Sequence, residues 1–464
     1  MSWNDMKAST KDFWSEFRKV KSGIVGLIFL GVFLFILIFE PLLLPFSEAN
    51  TRWKDITYWE DNPASAAPQW TNLFTSKKRA VSEDLEISEI EEKKVGTIRI
   101  IEESFIYNYE YDVAPADLVF RASGTGSATF IISIERPDGK TIDLFRKPLE
   151  LPADRTLRIA IDRSSKNEAL NFLKSFNAMD GVTAQTVRTT DVIFSQVEKS
   201  LSFKPEPLKG EYRIKVSMIL QKEADTITST GMKIAGRVHG ILGTDNSKRD
   251  IWSGVLAGVK WAMLIGLMTA LISVSIGVIY GVMSAYLGGW KDSLMQRIFE
   301  IFISVPLLPV LIVMSAVFKP SIWVIIFIMS IFYWVGPVKT VRSMGLQIKE
   351  ETYIEASRAL GASNARIIFK HMVPLLIPYA FASMALYVPG AIVVEATLSL
   401  LGLGDPNIVT WGQILQDAHR GGAMLSGMWW WVVPPGMAIA FMGMTFAFVG
   451  FAMDKILNPK LKTR

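Results

Sequence analysis

Residues 23–46 read GIVGLIFLGVFLFILIFEPLLLPF and carry one charged side chain, Glu40, near the far end. A bilayer core about 30 Å thick takes roughly 20 consecutive apolar residues wound as a helix, so this run predicts a membrane span. Five more stretches meet or approach the same length, at about 255–286, 298–318, 322–338, 375–401 and 428–451. The first follows a basic N-terminus, but its apolar run is too long for a signal peptide. No small-residue cleavage site follows it, so it reads as a retained anchor. The chain is therefore expected to be an α-helical membrane protein with six transmembrane helices.

Composition agrees only if charge and apolar residues are segregated. Half of the 464 residues are hydrophobic, 20% are charged, and the mean hydropathy is +0.29. The polar material is concentrated in 47–250, between the first two spans. The net charge of +5 comes without a compact basic patch interleaved with aromatics, which argues against a nucleic-acid partner. There is no cysteine, which excludes disulfides, zinc–thiolate centres and thiol catalysis.

Lysine and arginine in short loops set orientation. With the N-terminus inside, Lys7, Lys11, Arg18, Lys19 and Lys21 are cytoplasmic. So are Lys291, Arg297, Lys339, Arg342, Lys349, Arg358, Arg366, Lys370, Lys455, Lys460, Lys462 and Arg464. The short outer loops then keep only Lys319 and Arg420. Both termini and the segment 350–374 are predicted inside. The long block 47–250 is exempt from the charge rule and is predicted outside.

Within that block, ATFIISIERPDGKTIDLFR alternates apolar and polar residues on both sides of Pro137-Asp138-Gly139 and predicts a hairpin. GTIRIIEESFIYNYEYDV and EYRIKVSMILQ read as strands, and NEALNFLKSFNAM has helical spacing. The expectation is an inserted extracytoplasmic β-rich domain, a sandwich in outline, with its core at about 90–222. EDNPASAAPQ and SKKRAVSEDLEISEIEEKK are read as flanking linkers. Gly139-Lys140-Thr141 ends like a phosphate loop, but Ile134 stands where that loop needs glycine, so a hairpin turn is the better reading.

The stretch YIEASRALGASNARIIFKHMVP, 353–374, is a polar interruption between spans. Tyr353, Ala356, Ala359 and Leu360 recur at three- and four-residue spacing as one apolar stripe. Gly361 suits a left-handed helix end, Ser363 an N-cap for a second helix over NARIIFKHMV, and Pro374 the first turn of the next span. The unit is a cytoplasmic elbow, 350–374, shaped to enter a groove on a partner.

Three motifs in order carry a resemblance. Glu355-Ala356-Ser357, Gly361 after three intervening residues, and His371-Met372-Val373-Pro374 resemble the coupling motif of bacterial ABC-importer permeases. HGILGTDNSKRDIWSGVLAGVKWAMLIGL from His239 and EATLSLLGLGDPNIVTWGQIL from Glu395 are similar to stretches of the dipeptide/oligopeptide/nickel permease family. The match covers about 236–464 and the first span. Lys248 stands where that family usually has glycine, Gly254 where it has arginine, and Ser357 where the general motif has alanine. The inserted domain lies outside the family pattern.

The resemblance implies a permease subunit of a bacterial or archaeal cytoplasmic-membrane importer of short peptides, forming half of the translocation path. Relatives carrying nickel chelates or oligosaccharides leave the solute open. It implies a second homologous permease, two cytoplasmic ATPases that bind the ATP, and an extracytoplasmic solute-binding protein as partners, with membrane lipid around them. No catalytic site, cofactor or metal is expected in this chain. The ATPase-coupling residues implied are Tyr353, Glu355, Ala356, Ser357, Leu360, Gly361, His371 and Pro374.

Carboxylates within spans are costly and point to function by default. Glu40 can reach water at one end of its span and Glu300 can snorkel at the other face. Glu395 lies deeper and is a candidate for the translocation path, with Asp405 and Trp411 at its outer mouth. Trp411 opens a predicted short helix at headgroup depth, and Trp429, Trp430 and Trp431 read as an interfacial belt. Gly402-Leu403-Gly404-Asp405 matches an intramembrane aspartyl-protease signature, but the only Tyr-Asp pair, Tyr111-Asp112, is in the polar block. His239, His371 and His419 are predicted on different sides, which argues against a shared metal. A membrane-anchored sensor or adhesion protein needs fewer spans and no elbow. A secondary transporter would show internal repeats and broken helices, and neither is evident in the sequence.

Overall fold

A computed structural model describes residues 14–151, 155–178, 183, 186–197 and 205–457. Lys7, Lys11, Met179, Lys460, Lys462 and Arg464, used in the readings above, lie outside the described residues. The chain divides into two compact units, Met1–Lys54 with Ser253–Arg464, and Asp55–Trp252.

The second unit is antiparallel β structure organised on one long strand. Its strands are β1 (Glu83–Leu85), β2 (Ile87–Val95), β3 (Ile98–Tyr109), β4 (Asp117–Glu135), β5 (Thr141–Leu151), β6 (Arg155–Arg158), β7 (Gly210–Leu220) and β8 (Thr226–Ala235). The first half of β4 pairs with β6 and β8, and the second half with β5 and β7. Its register slips between Ser123 and Gly124, where the strand passes from one sheet to the other. β1 extends the first sheet through β8, and β3 and β2 extend the second through β7.

Side-chain alternation buries Phe105, Tyr107 and Tyr109 of β3 against Tyr212 and Ile214 of β7 and Phe120, Phe130 and Ile132 of β4. The hairpin expected at Pro137-Asp138-Gly139 is the β4–β5 turn, closed by Gly139 N–H donating to the Arg136 carbonyl at 2.9 Å. Helix α2 (Arg163–Ser175) starts at Asp162, whose carboxylate accepts from Ser164 N–H at 2.7 Å. Short helix α3 spans Thr189–Phe194.

The linker reading of both flanks is corrected. SKKRAVSEDLEISEIEEKK carries β1 and most of β2, an edge strand exposed throughout that bears Glu89 and the run Glu91, Glu92, Lys93 and Lys94. Such charges blunt an open sheet edge without preventing a strand. EDNPASAAPQ is clasped to the far end of the unit. Ser65 N–H donates to the Asp245 carbonyl at 2.7 Å, Ala67 N–H to Arg237 at 3.2 Å, and His239 N–H to Ala67 at 2.8 Å. Composition marked neither the backbone pairing of these two stretches nor the burial of Asn62, Pro63, Ala66, Ala67 and Pro68 in the second.

The first unit is helical: α1 (Lys21–Leu43), α4 (Ile251–Leu287), α5 (Gly289–Ser304), α6 (Leu307–Val317), α7 (Ile322–Tyr333), α8 (Val335–Lys349), α9 (Thr352–Ala359), α10 (Asn364–Arg366), α11 (Val373–Leu400), α12 (Trp411–Arg420) and α13 (Trp429–Leu457). Among the described residues, five helices are long and apolar enough to cross a membrane: Lys21–Leu43, Ile251–Leu287, Ile322–Lys349, Asn364–Leu400 and Trp429–Ile456. The expected span at 298–318 is not a straight helix. Gly289–Ser304 and Leu307–Met314 meet at 75°, and six spans result only if this bent pair counts as one. Pro306 is the cause: it has no N–H for the helical ladder, and it holds Val305 extended at ψ 122°. A broken helix is therefore present where the sequence showed none. α13 packs on α11, α12 and α1, while α1 leaves Ile38 and Leu42 largely exposed, as a lipid-facing helix does.

Candidate functional site

Helix α8 ends at Lys349 and the chain turns immediately into α9. The seat of α9 is Ile354, fully buried among Val282, Tyr286, Val341, Ile367 and Met372. The far end is shaped by Gly361 at φ +80°. Gly361 N–H donates to the Arg358 carbonyl at 3.0 Å, and Ala362 N–H reaches back to Ser357 at 3.1 Å. This nested pair is the Schellman arrangement, which needs a left-handed residue at that point. Ala362 then tucks against the same buried cluster. Ser363 accepts from Arg366 N–H at 3.4 Å and caps the next helix.

The second arm differs from expectation. No separate short helix precedes the span, because Asn364–Leu400 runs without a break. Ile367–Met372 forms one wider, π-type turn, in which Val373 N–H donates to Ile368, five residues back. That local widening lets Pro374, which lacks an N–H, sit inside a continuous helix. Two contacts tie the arms to α4: Tyr286 Oη donates to Asn364 Oδ1 at 3.1 Å, and the Arg358 guanidinium lies 5.4 Å from the Tyr286 ring centroid.

The anticipated stripe of Tyr353, Ala356, Ala359 and Leu360 is exposed, with Leu360 89% accessible at the tip. Glu355 is also exposed and forms no ion pair among the described residues. Ser357 Oγ donates to the Tyr353 carbonyl at 2.8 Å, and His371 is half-buried in the wide turn. Ile354, which holds the elbow down, was missed in the sequence. It is the one aliphatic residue beside the stripe rather than on it, and that offset is the signal that could have found it.

The three candidates for the translocation path are brought close together, but inside the protein. Glu395 on α11 is buried and accepts from Ser399 Oγ at 2.7 Å. Asp405 is buried and accepts from Asn407 N–H at 2.9 Å and from Ile322 N–H at 3.1 Å. It thus caps α7, whose own N-cap Ser321 contributes no side-chain bond. Trp411 begins α12 as expected, but at 2% exposure it is not at a water boundary. Its Nε1 donates to the Val255 carbonyl at 2.8 Å, and its ring lies on Gly258, where a Cβ would stand 2.5 Å from the indole. Trp431 is likewise fully buried, while Trp429 is exposed. Glu40 is bonded by Asn50 and Glu300 by Arg297.

Several apolar helices, a bent pair and an elbow seated on their ends define a multi-pass membrane permease domain. The family described as binding-protein-dependent transport system inner membrane component matches 257–463. The family described as N-terminal TM domain of oligopeptide transport permease C matches 9–68. The dipeptide transport system permease protein DppC of Bacillus subtilis is 37% identical over 47% of this chain and 68% of its own length. The oligopeptide transport system permease protein OppC of the same organism is 36% identical over 47% of this chain and 72% of its own length. The peptidoglycan transport system permease protein YejE of Agrobacterium fabrum is 36% identical over 36% of this chain and 43% of its own length. The chain belongs to the inner-membrane permease family of binding-protein-dependent ABC transport systems. Between the two matched stretches lie residues 69–256, which hold every strand of the β unit.

Proposed function

We propose that this chain is the permease subunit of an ATP-driven importer of short peptides, supplying half of a translocation path completed by a second, homologous permease. Two cytoplasmic ATPases bind the ATP and grip the elbow, and an external solute-binding protein delivers the solute. The chain itself has no ATPase site. Both termini and the elbow lie on the cytoplasmic side, and the β unit lies outside. The relatives' own assignment to dipeptide and oligopeptide systems supports the peptide class.

The elbow carries this reading. Its tip, Leu360, is solvent-exposed, while its base, Ile354, is locked into a cluster shared by α4, α8 and α11. Displacement at the tip must then pass into three spanning helices, because a close-packed base does not absorb it. The chain contains no cysteine, so Leu360→Cys introduces a single thiol. Membrane-impermeant maleimide should label it only from the cytoplasmic side, and a short bifunctional reagent should join it to an ATPase subunit. Labelling from the outside only would overturn the assignment.

A further inference from the structure

Beside the elbow, where α4, α5, α8 and α9 converge, lies a concavity of about 420 Å³. Lys291, Lys349 and Arg358 line it together with Tyr286, Trp290 and Asn364. Among the described residues, no carboxylate lines it. The adjacent Asp292 is committed to Arg342, whose Nε and Nη2 reach its two oxygens at 2.8 and 2.5 Å. Lys291 and Lys349 form no ion pair among the described residues, and Arg358 meets only the Tyr286 ring. Three cations from three helices thus face one cavity whose described lining holds no carboxylate, although Asp292, held by Arg342, also attracts Lys349 from outside that lining; its size is in the range of small-ligand sites. Trp290, 72% exposed, stands at the rim, just past the end of the spanning helix α4. An indole there suits headgroup depth, and basic pockets at the cytoplasmic ends of spanning helices recognise acidic headgroups.

We propose that this cavity seats the phosphate of an anionic phospholipid, with Lys291, Lys349 and Arg358 on its oxygens and Trp290 against the glycerol and upper acyl region. The proposal rests on the elbow end facing the cytoplasm, where acidic lipids concentrate. Because Arg358 belongs to α9 and Lys349 closes α8, the bound headgroup bridges the two sides of the elbow's base.

The test is native mass spectrometry of the full chain in detergent, titrated with phosphatidylglycerol or phosphatidylcholine. Wild type should retain a phosphatidylglycerol adduct that Lys291→Gln/Lys349→Gln binds about tenfold or more weakly, from roughly 1 kcal/mol per basic contact. Phosphatidylcholine retention should be the same in both. Lys291 is exposed and Lys349 half-buried, and Lys291→Arg/Lys349→Arg should restore retention, which separates lost charge from a lost fold. Equal phosphatidylglycerol retention by wild type and the glutamine variant would overturn the site. Displacement of the adduct by millimolar inorganic phosphate would overturn the lipid assignment. These readings need neither ATPase nor transport, whereas outside labelling of a thiol at 360 would remove the topology and leave the lipid count unchanged.

Discussion

Gly361 offers a test that isolates backbone conformation from packing. A Cβ placed there meets nothing within 4 Å, so any substitution acts through φ +80° rather than through a clash. A side chain in the left-handed region costs about 1–2 kcal/mol, more for a β-branched residue and less for asparagine, which visits that region several-fold more readily. A bias of about 1.4 kcal/mol shifts a local equilibrium tenfold. Gly361→Val should therefore spend much of its time with the two nested hydrogen bonds opened and α9 misdirected, while Gly361→Asn keeps the turn. The assay is the complete transporter in proteoliposomes, with ATP hydrolysis and peptide uptake measured together. The valine variant should insert and assemble, hydrolyse ATP, and take up several-fold less peptide per ATP. The asparagine variant should stay within about twofold of wild type. Indistinguishable coupling ratios for the two variants would refute the lever argument.

Two further outcomes follow from buried carboxyls. Glu395→Gln retains an acceptor for Ser399 and should leave uptake within about twofold, whereas Glu395→Leu strands the buried hydroxyl at a cost of about 1–3 kcal/mol in a detergent melt. Loss of uptake by the glutamine variant with assembly and ATPase activity intact would put the charge of Glu395 on the path instead. In the β unit, Glu103 is buried and, among the described residues, accepts from Thr230 Oγ1 alone, at 2.7 Å, and burial pushes its carboxyl above the ordinary range. A carboxyl raised on folding favours the folded state below its unfolded value, near 4.5, and that advantage is lost as pH rises through the folded value. Glu103→Gln should accordingly raise the β unit's melting temperature at pH 7 and have little effect near pH 4; the reverse order would contradict the burial argument.

The legible parts of the fold were those with a local cause. The spans announce themselves by length and apolarity, and the β4–β5 turn by Pro137-Asp138-Gly139. The left-handed end at Gly361 and the cap at Ser363 follow from single residues whose conformational preferences act over one turn. What stayed hidden depends on partners distant in sequence. Asp405 looks like a mouth-lining acid until Ile322 N–H is placed beside it. Trp411 resembles a headgroup anchor until Val255 and Gly258 take its ring. The bend at Pro306 and the wide turn before Pro374 show a subtler limit. A proline marks strain in both cases, but whether the chain breaks by 75° or absorbs the change within one helix is settled by surroundings that periodicity does not report. β2 was misread because charge density was taken as the mark of a linker.

The clasp between 65–67 and 237–245 makes the intervening stretch a cassette. The chain enters and leaves this block through neighbouring, hydrogen-bonded segments, so the size of what hangs between them is not felt at the neck. A lineage could enlarge, trim or exchange 68–236 while the gap to be bridged stayed a few ångströms wide. Because Ala67 and Val238 pair in parallel, a crossover of roughly a dozen residues rather than a tight turn would be the least that presents the rest of the chain with the same closed doorway.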